Sequence, residues 1–338
     1  MNLRDASHWL ASQTPARLAN LARVTSSYYQ SRWQGVPTMR GLPISIAVEP
    51  TTSCNLRCPE CPSGLRSFTR PTGMLPENLF QELINQLAPT LSYLTFYFQG
   101  EPYLHPQFLN LVRYATDRKI YTATSTNAHY LNDAQAELTI RSGLSRLIIS
   151  IDGTTQDTYQ SYRIGGSLEK VIHGTQNILA WKKKLRSSTP HVIFQFLVVK
   201  PNEHQIPEVV QLAKRLGVDE VKLKTAQIYD YANGSPLIPT QDRYSRYRRN
   251  ADGTYRIKNR FDNHCWKMWH SCVVTWDGKV VPCCFDKDAH HVLGNLNEHS
   301  FSHIWQSAAY HQFRATLMRT RASVEMCKNC TEGTQVWA

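Results

Sequence analysis

Residues 54–61 read Cys54-Asn-Leu-Arg-Cys58-Pro-Glu-Cys61 and follow closely on the short run Ser45-Ile-Ala-Val48. A strand ending in a loop with three thiols sets those thiols at its C-terminal end, where parallel α/β folds assemble their sites. Three closely spaced thiolates can hold three corners of a four-iron cluster and leave the fourth iron open to a non-protein ligand. A closed set of four would saturate its cluster or metal. Six further cysteines stand in the last quarter of the chain: Cys265, Cys272, Cys283, Cys284, Cys327 and Cys330. The distribution proposes one open, reactive cluster near the N-terminus and one closed cluster near the C-terminus. Spacing alone also admits a zinc site or unrelated thiols.

Outward from this loop, short β-rich runs alternate with longer helical patterns from Ile44 to about Ala232. The expected strands are Ser45–Val48, Tyr93–Phe98, Ile120–Ser125, Arg146–Ile151, Val192–Val198 and Glu220–Lys224. Helical patterns fill the gaps at Pro76–Leu87, Gln107–Arg118, Asn132–Ser142, Leu168–Leu185 and Gln205–Leu216. Strands spaced by helices imply βαβ units and a parallel sheet. Six such units fall short of the eight of a closed barrel. Residues 1–43 predict one or two amphipathic helices packed outside this domain, and 233–263 a linker rich in Pro, Gly, Asp and Arg. Residues 264–338 predict a small domain with a hairpin, Val273–Trp276 and Lys279–Pro282 about the turn Asp277-Gly278.

The bulk composition narrows the classes. With 338 residues and 41% apolar content the chain can bury a large core. Met1 to Gln30 contain no signal-peptide h-region, and no stretch approaches the roughly 20 apolar residues of a membrane span. A soluble, cytoplasmic protein is expected, with no membrane partner. Nine cysteines, an odd number without an export signal, argue against a disulfide framework and for metal ligation. The formal charge of +12 concentrates in Lys182–Arg186 and Arg243–Arg249. Solvated helix faces account for such runs more readily than nucleic acid does. An anionic substrate stays open.

Further motifs fall at successive strand ends. Gln99-Gly100-Glu101-Pro102 follows the second strand, and Ser125-Thr126-Asn127-Ala128 closes the third. Ile149-Ser150-Ile151-Asp152-Gly153 ends the fourth, followed by Tyr159 and Tyr162-Arg163. Together with the cysteine triad, this order resembles the radical S-adenosylmethionine (radical SAM) superfamily over roughly residues 44–232. Two positions depart from the family pattern: Gln99 replaces the first Gly of G-G-E-P, and Ala128 replaces the Gly of a T-N-G turn.

The resemblance implies an α/β fold, a partial (β/α)6 radical SAM barrel with a small C-terminal cluster-binding subdomain. Cys54, Cys58 and Cys61 would hold a [4Fe-4S] cluster whose open iron chelates the amino and carboxylate groups of SAM. One-electron cleavage then yields a 5'-deoxyadenosyl radical that abstracts a substrate hydrogen, with a flavodoxin- or ferredoxin-type donor implied. SAM contacts are implied for Gly100, Glu101, Pro102, Ser125, Asn127, Ser150, Asp152 and Arg163. Glu101 would orient the amino group, Ser150 would meet the ribose or carboxylate, and Arg163, a planar fork, would pair with the carboxylate.

The tail resembles the Twitch subdomain, the shorter form of the SPASM extension. That implies a single auxiliary [4Fe-4S] cluster on Cys265, Cys283, Cys327 and Cys330, with structural zinc as the rival. Cys272 and Cys284 read either as buried small hydrophobes or as hydrogen-atom donors of the kind radical epimerases use. The expected reaction is oxidation or epimerisation of a small polar or carbohydrate-like molecule. Peptide or protein modification ranks second and RNA third. A non-catalytic zinc and nucleic-acid-binding module is the reading from another class. His270 and Asp286 are among the candidate bases.

Overall fold

The computed structural model describes residues 3–259 and 262–331. Residues 1–2 of the expected N-terminal segment, 260–261 of the expected linker and 332–338 of the tail lie outside the described residues. The fold grows around β1 (Ser45–Val48), which buries Ile46 and Val48. Beside it run β2 (Tyr93–Thr95), β3 (Tyr121–Thr126), β4 (Arg146–Ser150), β5 (His191–Val198) and β6 (Glu220–Thr225). All pair in parallel and in chain order. Leu94 and Phe96 face outward, Phe96 lying 5.5 Å from Phe80 and 5.8 Å from Phe108, ring to ring. The alternate residues, Thr95 and Tyr97, therefore turn to the barrel interior.

The outer layer follows from capping chemistry and amphipathic spacing. Around the N-terminus lie α1 (Leu3–Ala11) and α2 (Pro15–Gln34), and α3 (Pro62–Leu65) follows the cysteine loop. The crossovers are α4 (Glu77–Leu87), α5 (Phe108–Thr116), α6 (Asp133–Arg141), α7 (Gln156–Tyr162), α8 (Leu168–Lys184) and α9 (Ile206–Leu216). Asn132 and Ser167 cap α6 and α8 by accepting the Gln135 and Lys170 N–H groups. No helix among the described residues is long and apolar enough to cross a membrane.

Members of both basic runs are engaged within the fold, while Lys183, Arg186, Arg248 and Arg249 are exposed. Lys182 pairs with Asp219 at 2.7 Å, and Lys184 lies over Trp181, at the C-terminal end of α8 where cations are favourable. Arg246 is buried and donates to the Thr225 carbonyl. The expected linker is itself structured, carrying the antiparallel pair β7 (Tyr247–Arg249) and β8 (Tyr255–Ile257).

The expected hairpin forms as β9 (Ser271–Val274) and β10 (Lys279–Val281), with β11 (Gly294–Asn295) beyond it. It does not stand apart. β9 pairs in parallel with the free edge of β1, making one nine-stranded sheet in the order β11-β10-β9-β1-β2-β3-β4-β5-β6. An unpaired buried edge leaves a row of peptide groups unsatisfied, and the C-terminal segment covers it.

Candidate functional site

The loop between β1 and α3 sits at the C-terminal mouth of the barrel. Leu56 N–H points at the Cys54 sulfur at 3.4 Å, and Cys61 stands at the head of α3. Gly64 lets α3 lie against the cysteine loop, since a Cβ there would come within 2.5 Å of Cys58 N. The three cysteines line a cavity of about 270 Å³ together with Gly100, Glu101, Ser125, Asn127, Ser150 and Arg163. Six of the eight residues expected at the cofactor thus meet the triad in one place.

Two expected contacts fall elsewhere. Pro102 starts a buried 3-10 turn and does not line the cavity. Asp152 lies behind the wall, accepting Arg163 Nε–H at 2.5 Å and Leu197 N–H at 2.7 Å. Its carboxylate is consumed in holding Arg163 and the β5 end, which makes it a positioning residue. Arg163, so held, directs Nη1 to the Cys58 sulfur at 3.8 Å.

The loop after β2 clasps the cysteine loop through its backbone. Gly100 N–H donates to Ser63 Oγ at 2.8 Å and Glu101 N–H to the Ser53 carbonyl at 2.7 Å. The Glu101 carboxylate accepts Thr126 Oγ1–H and Asn127 N–H, both at 2.7 Å, tying it to the end of β3. Burial pushes its pKa up to about 7 against those hydrogen bonds. Asn127 in turn donates to Asn55 within the cysteine loop, at 2.8 Å.

Sequence reasoning missed Asn55, Glu60, Tyr97 and Lys287, which line the same region or bond to it. Tyr97 was legible from the alternation after β2. Lys287 had no local signal, because it arrives from the C-terminal domain.

The four expected auxiliary ligands come from one C-terminal region, linked pairwise through Cys265 and through Arg321. Cys265 lies within electrostatic reach of both Cys283 and Cys327. Arg321, 3% exposed, lies within reach of Cys265, Cys327 and Cys330 and donates Nη2–H to Cys330 Sγ at 3.6 Å. The two remaining thiols differ in place. Cys272 is fully buried in β9, next to Tyr310, and lines neither the 270 Å³ cavity nor its neighbour. Its position is that of a core residue. Cys284 is exposed, its sulfur 3.4 Å from Lys267 Nζ and within electrostatic reach of Tyr97 at the barrel mouth.

The donor chemistry fits iron–sulfur clusters. Burial pushes the Cys54 thiol up to about 12 and raises Cys58, with Arg163 opposing. Binding a cluster there would hold these thiols as thiolates against that cost. The triad borders a cavity whose polar lining suits an amino acid-bearing cofactor.

A second cavity, of about 820 Å³, adjoins the first and shares Pro62 and Lys287 with it. Leu65, Tyr229, Tyr231, Phe285 and Met326 supply apolar surface, and Asp286, Asp288, His290 and Lys328 a polar rim. Asp286, a candidate base, lines it, but its carboxylate already caps His290 and His291 N–H. His270 lies in α10 (Lys267–His270), its ring 3.3 Å from Ser45 Oγ at the start of β1, away from the mouth.

Residues 48–213 match the Radical SAM superfamily, and residues 265–331 match the SPASM iron-sulfur cluster-binding domain. The chain is 25% identical over 320 residues to the PqqA peptide cyclase of Gluconobacter oxydans, covering 89% of this chain and 86% of that one. It is 25% identical over 312 residues to the tungsten-containing aldehyde ferredoxin oxidoreductase cofactor-modifying protein of Pyrococcus furiosus, covering 80% and 82%. Among solved structures, Streptococcus suis SuiB bound to S-adenosylmethionine superposes with a TM-score of 0.64 at 14% identity, over 92% of this chain and 76% of that one. With the triad, the clasping Gly100-Glu101 loop and the C-terminal thiols, these matches show that the chain belongs to the radical SAM superfamily, as an enzyme of a [4Fe-4S] cluster and SAM with a C-terminal SPASM domain for auxiliary iron–sulfur clusters.

Proposed function

We propose that the protein modifies a peptide or protein, removing a hydrogen atom from a carbon of a segment seated in the 820 Å³ cavity. The observation that carries this reading is the size and aromatic lining of that cavity, directly beside the cofactor cavity. A single sugar ring would leave much of it to water, whereas a chain segment can bury apolar side chains against Tyr229, Tyr231, Phe285 and Met326. The likeness to a peptide cyclase over most of both chains supports the same order. This reverses the ranking expected from sequence, where a small polar substrate stood first.

When bound, the cluster and SAM supply a radical able to take hydrogen from an unactivated carbon. This chain's residues do the placing. Asp152 holds Arg163 beside Cys58, and Glu101 holds Asn127 beside Asn55. Tyr229 N–H donates to Glu60 Oε2 at 2.9 Å, which fixes the aromatic wall to the cysteine loop. We further infer one auxiliary cluster on Cys265, Cys283, Cys327 and Cys330, suited to accept the electron left on the substrate. Of the two remaining thiols, Cys284 lines neither cavity but is exposed and within electrostatic reach of Tyr97, which lines the inner one, and so is the better placed to return a hydrogen atom.

The test is anaerobic turnover of the reconstituted enzyme with SAM and dithionite, offered peptides on one side and sugars or aminocyclitols on the other. Peptide-dependent 5'-deoxyadenosine with loss of hydrogen from the peptide is the expected result. Stimulation by the small polyols alone would sink the reading and restore the small-substrate order.

A further inference from the structure

Lys287, with Pro62, lines both cavities, and hydrogen bonds fix the backbone on either side of it. Its carbonyl accepts Arg70 Nε–H at 3.3 Å, and Arg70 is locked by buried Glu49, just past the end of β1, at 2.6 Å. On one side the Asp286 carboxylate accepts His290 and His291 N–H at 2.8 and 2.9 Å. On the other, the Asp288 carboxylate accepts Thr69 N–H at 3.0 Å. Three consecutive residues are thus pinned, and the lysine side chain projects along the sill between cofactor and outer cavity with Nζ 4.7 Å from the Tyr229 ring centre.

Among the described residues no carboxylate lies within ion-pair distance of this ammonium; the Cys61 and Cys284 sulfurs act on it first among the anionic groups, and Glu60 less. Burial lowers its pKa against these partners. The other cation lining the inner cavity, Arg163, is already committed to Asp152 and Cys58. A half-buried ammonium backed by an aromatic face, with no carboxylate paired to it and one side open to the outer cavity, is a ready site for an incoming carboxylate.

We propose that Lys287 is the substrate anchor of this enzyme, binding a carboxylate of the peptide segment and so fixing which carbon faces the cofactor cavity. This rests on the peptide reading above and narrows it to segments bearing Asp, Glu or a free C-terminus near the reacting carbon. The pinning by Glu49, Arg70 and Asp288 gives that anchor a fixed distance from the cysteine loop, which is what positional selectivity requires.

The experiment is panning a displayed random peptide library against SAM-loaded, reconstituted holoenzyme, as wild type, Lys287→Met and Lys287→Arg. Wild type should enrich carboxylate-bearing peptides over their amide counterparts on the order of tenfold. Lys287→Met should lose that preference and Lys287→Arg retain it, with iron content and SAM affinity unchanged. A preference that survives in Lys287→Met overturns the proposal. So does loss of SAM affinity in that variant with the peptide preference intact, which would assign the lysine to the cofactor. If no peptide is enriched at all, the peptide reading itself fails. The anchor is then judged separately by acylation of Lys287 followed by mass spectrometry. Protection by glutarate but not by its neutral diamide upholds an anion anchor, and equal labelling removes it.

Discussion

Gly100 shows how one residue decides whether the cofactor cavity exists. Its φ of +74° is left-handed, and a Cβ there would strike the Thr51 carbonyl and lie 2.9 Å from that of Ser53. Gly100→Ala should cost roughly 1–2 kcal/mol for the backbone conformation alone, more for the clash, and weaken SAM binding at least about tenfold. Calorimetric titration of the reconstituted variant checks this; unchanged affinity would mean that the loop relaxes freely. Arg321 plays a comparable part among the C-terminal thiols. A buried cation donating to a ligand sulfur favours the reduced, more negative cluster. Arg321→Gln should therefore lower the auxiliary midpoint potential by about 40 mV, the equivalent of roughly 1 kcal/mol for one electron, as read by redox titration with electron paramagnetic resonance. Much of this was legible. The triad, Gly100, Glu101, Ser125, Asn127, Ser150 and Arg163 all lie where short motifs set them, since each follows its own strand. Asp152 was misplaced because a motif names neighbours in the chain, and its actual partners, Arg163 and Leu197, come from α7's end and β5.

Helices and strands separate the legible from the hidden in the same way. Every crossover helix except the short α7, and the Asp277-Gly278 hairpin, form near the expected residues, because periodicity and turn chemistry are local. That β9 would join β1 was not visible, as strand pairing over more than 200 residues leaves no local trace. The role of α1 was equally hidden. It reads as a surface helix, yet Asp5 is fully buried and bonds Tyr121 and Arg146 at the starts of β3 and β4, closing the barrel end opposite the site. Burial alone would raise the Asp5 pKa, and the hydrogen bonds from Tyr121 and Arg146 outweigh it and leave it lowered. A lowered carboxyl stabilises the fold above its unfolded value of 3.8, and that stability is lost as pH falls through the folded value. Asp5→Asn should thus cost about 3 kcal/mol at pH 7, by leaving Arg146 without its anion. The gap between the two proteins should narrow as pH falls below about 4, where the unfolded chain protonates at Asp5 first and the folded protein follows at a lower pH. Denaturant melts of both proteins at pH 7 and pH 3 measure it, and a constant gap would remove the charge from the explanation.

For the whole molecule, the continuous sheet means that the two cysteine sets share one frame without sharing their ligands. β9 and β10 carry the chain from Cys265 to Cys283, and the same β9 covers the edge of β1, the strand that leads to Cys54. The two sets should therefore load separately and affect stability unequally. Replacing Cys54, Cys58 and Cys61 with Ala removes ligands from a loop at the barrel mouth and leaves the sheet intact. Bound iron should fall from about eight to about four per chain, with little change in melting temperature. Replacing Cys265, Cys283, Cys327 and Cys330 should remove a similar amount of iron and also loosen the segment that holds β9 on β1. Its melting temperature should drop by several degrees, and the β1 edge should gain amide exchange. Iron and sulfide counting with hydrogen exchange on both variants distinguishes these outcomes. Equal destabilisation would show that β9 holds to β1 without its cluster. About four irons in wild type, all lost with the first triad, would leave the C-terminal thiols without a cluster and the electron without its proposed acceptor.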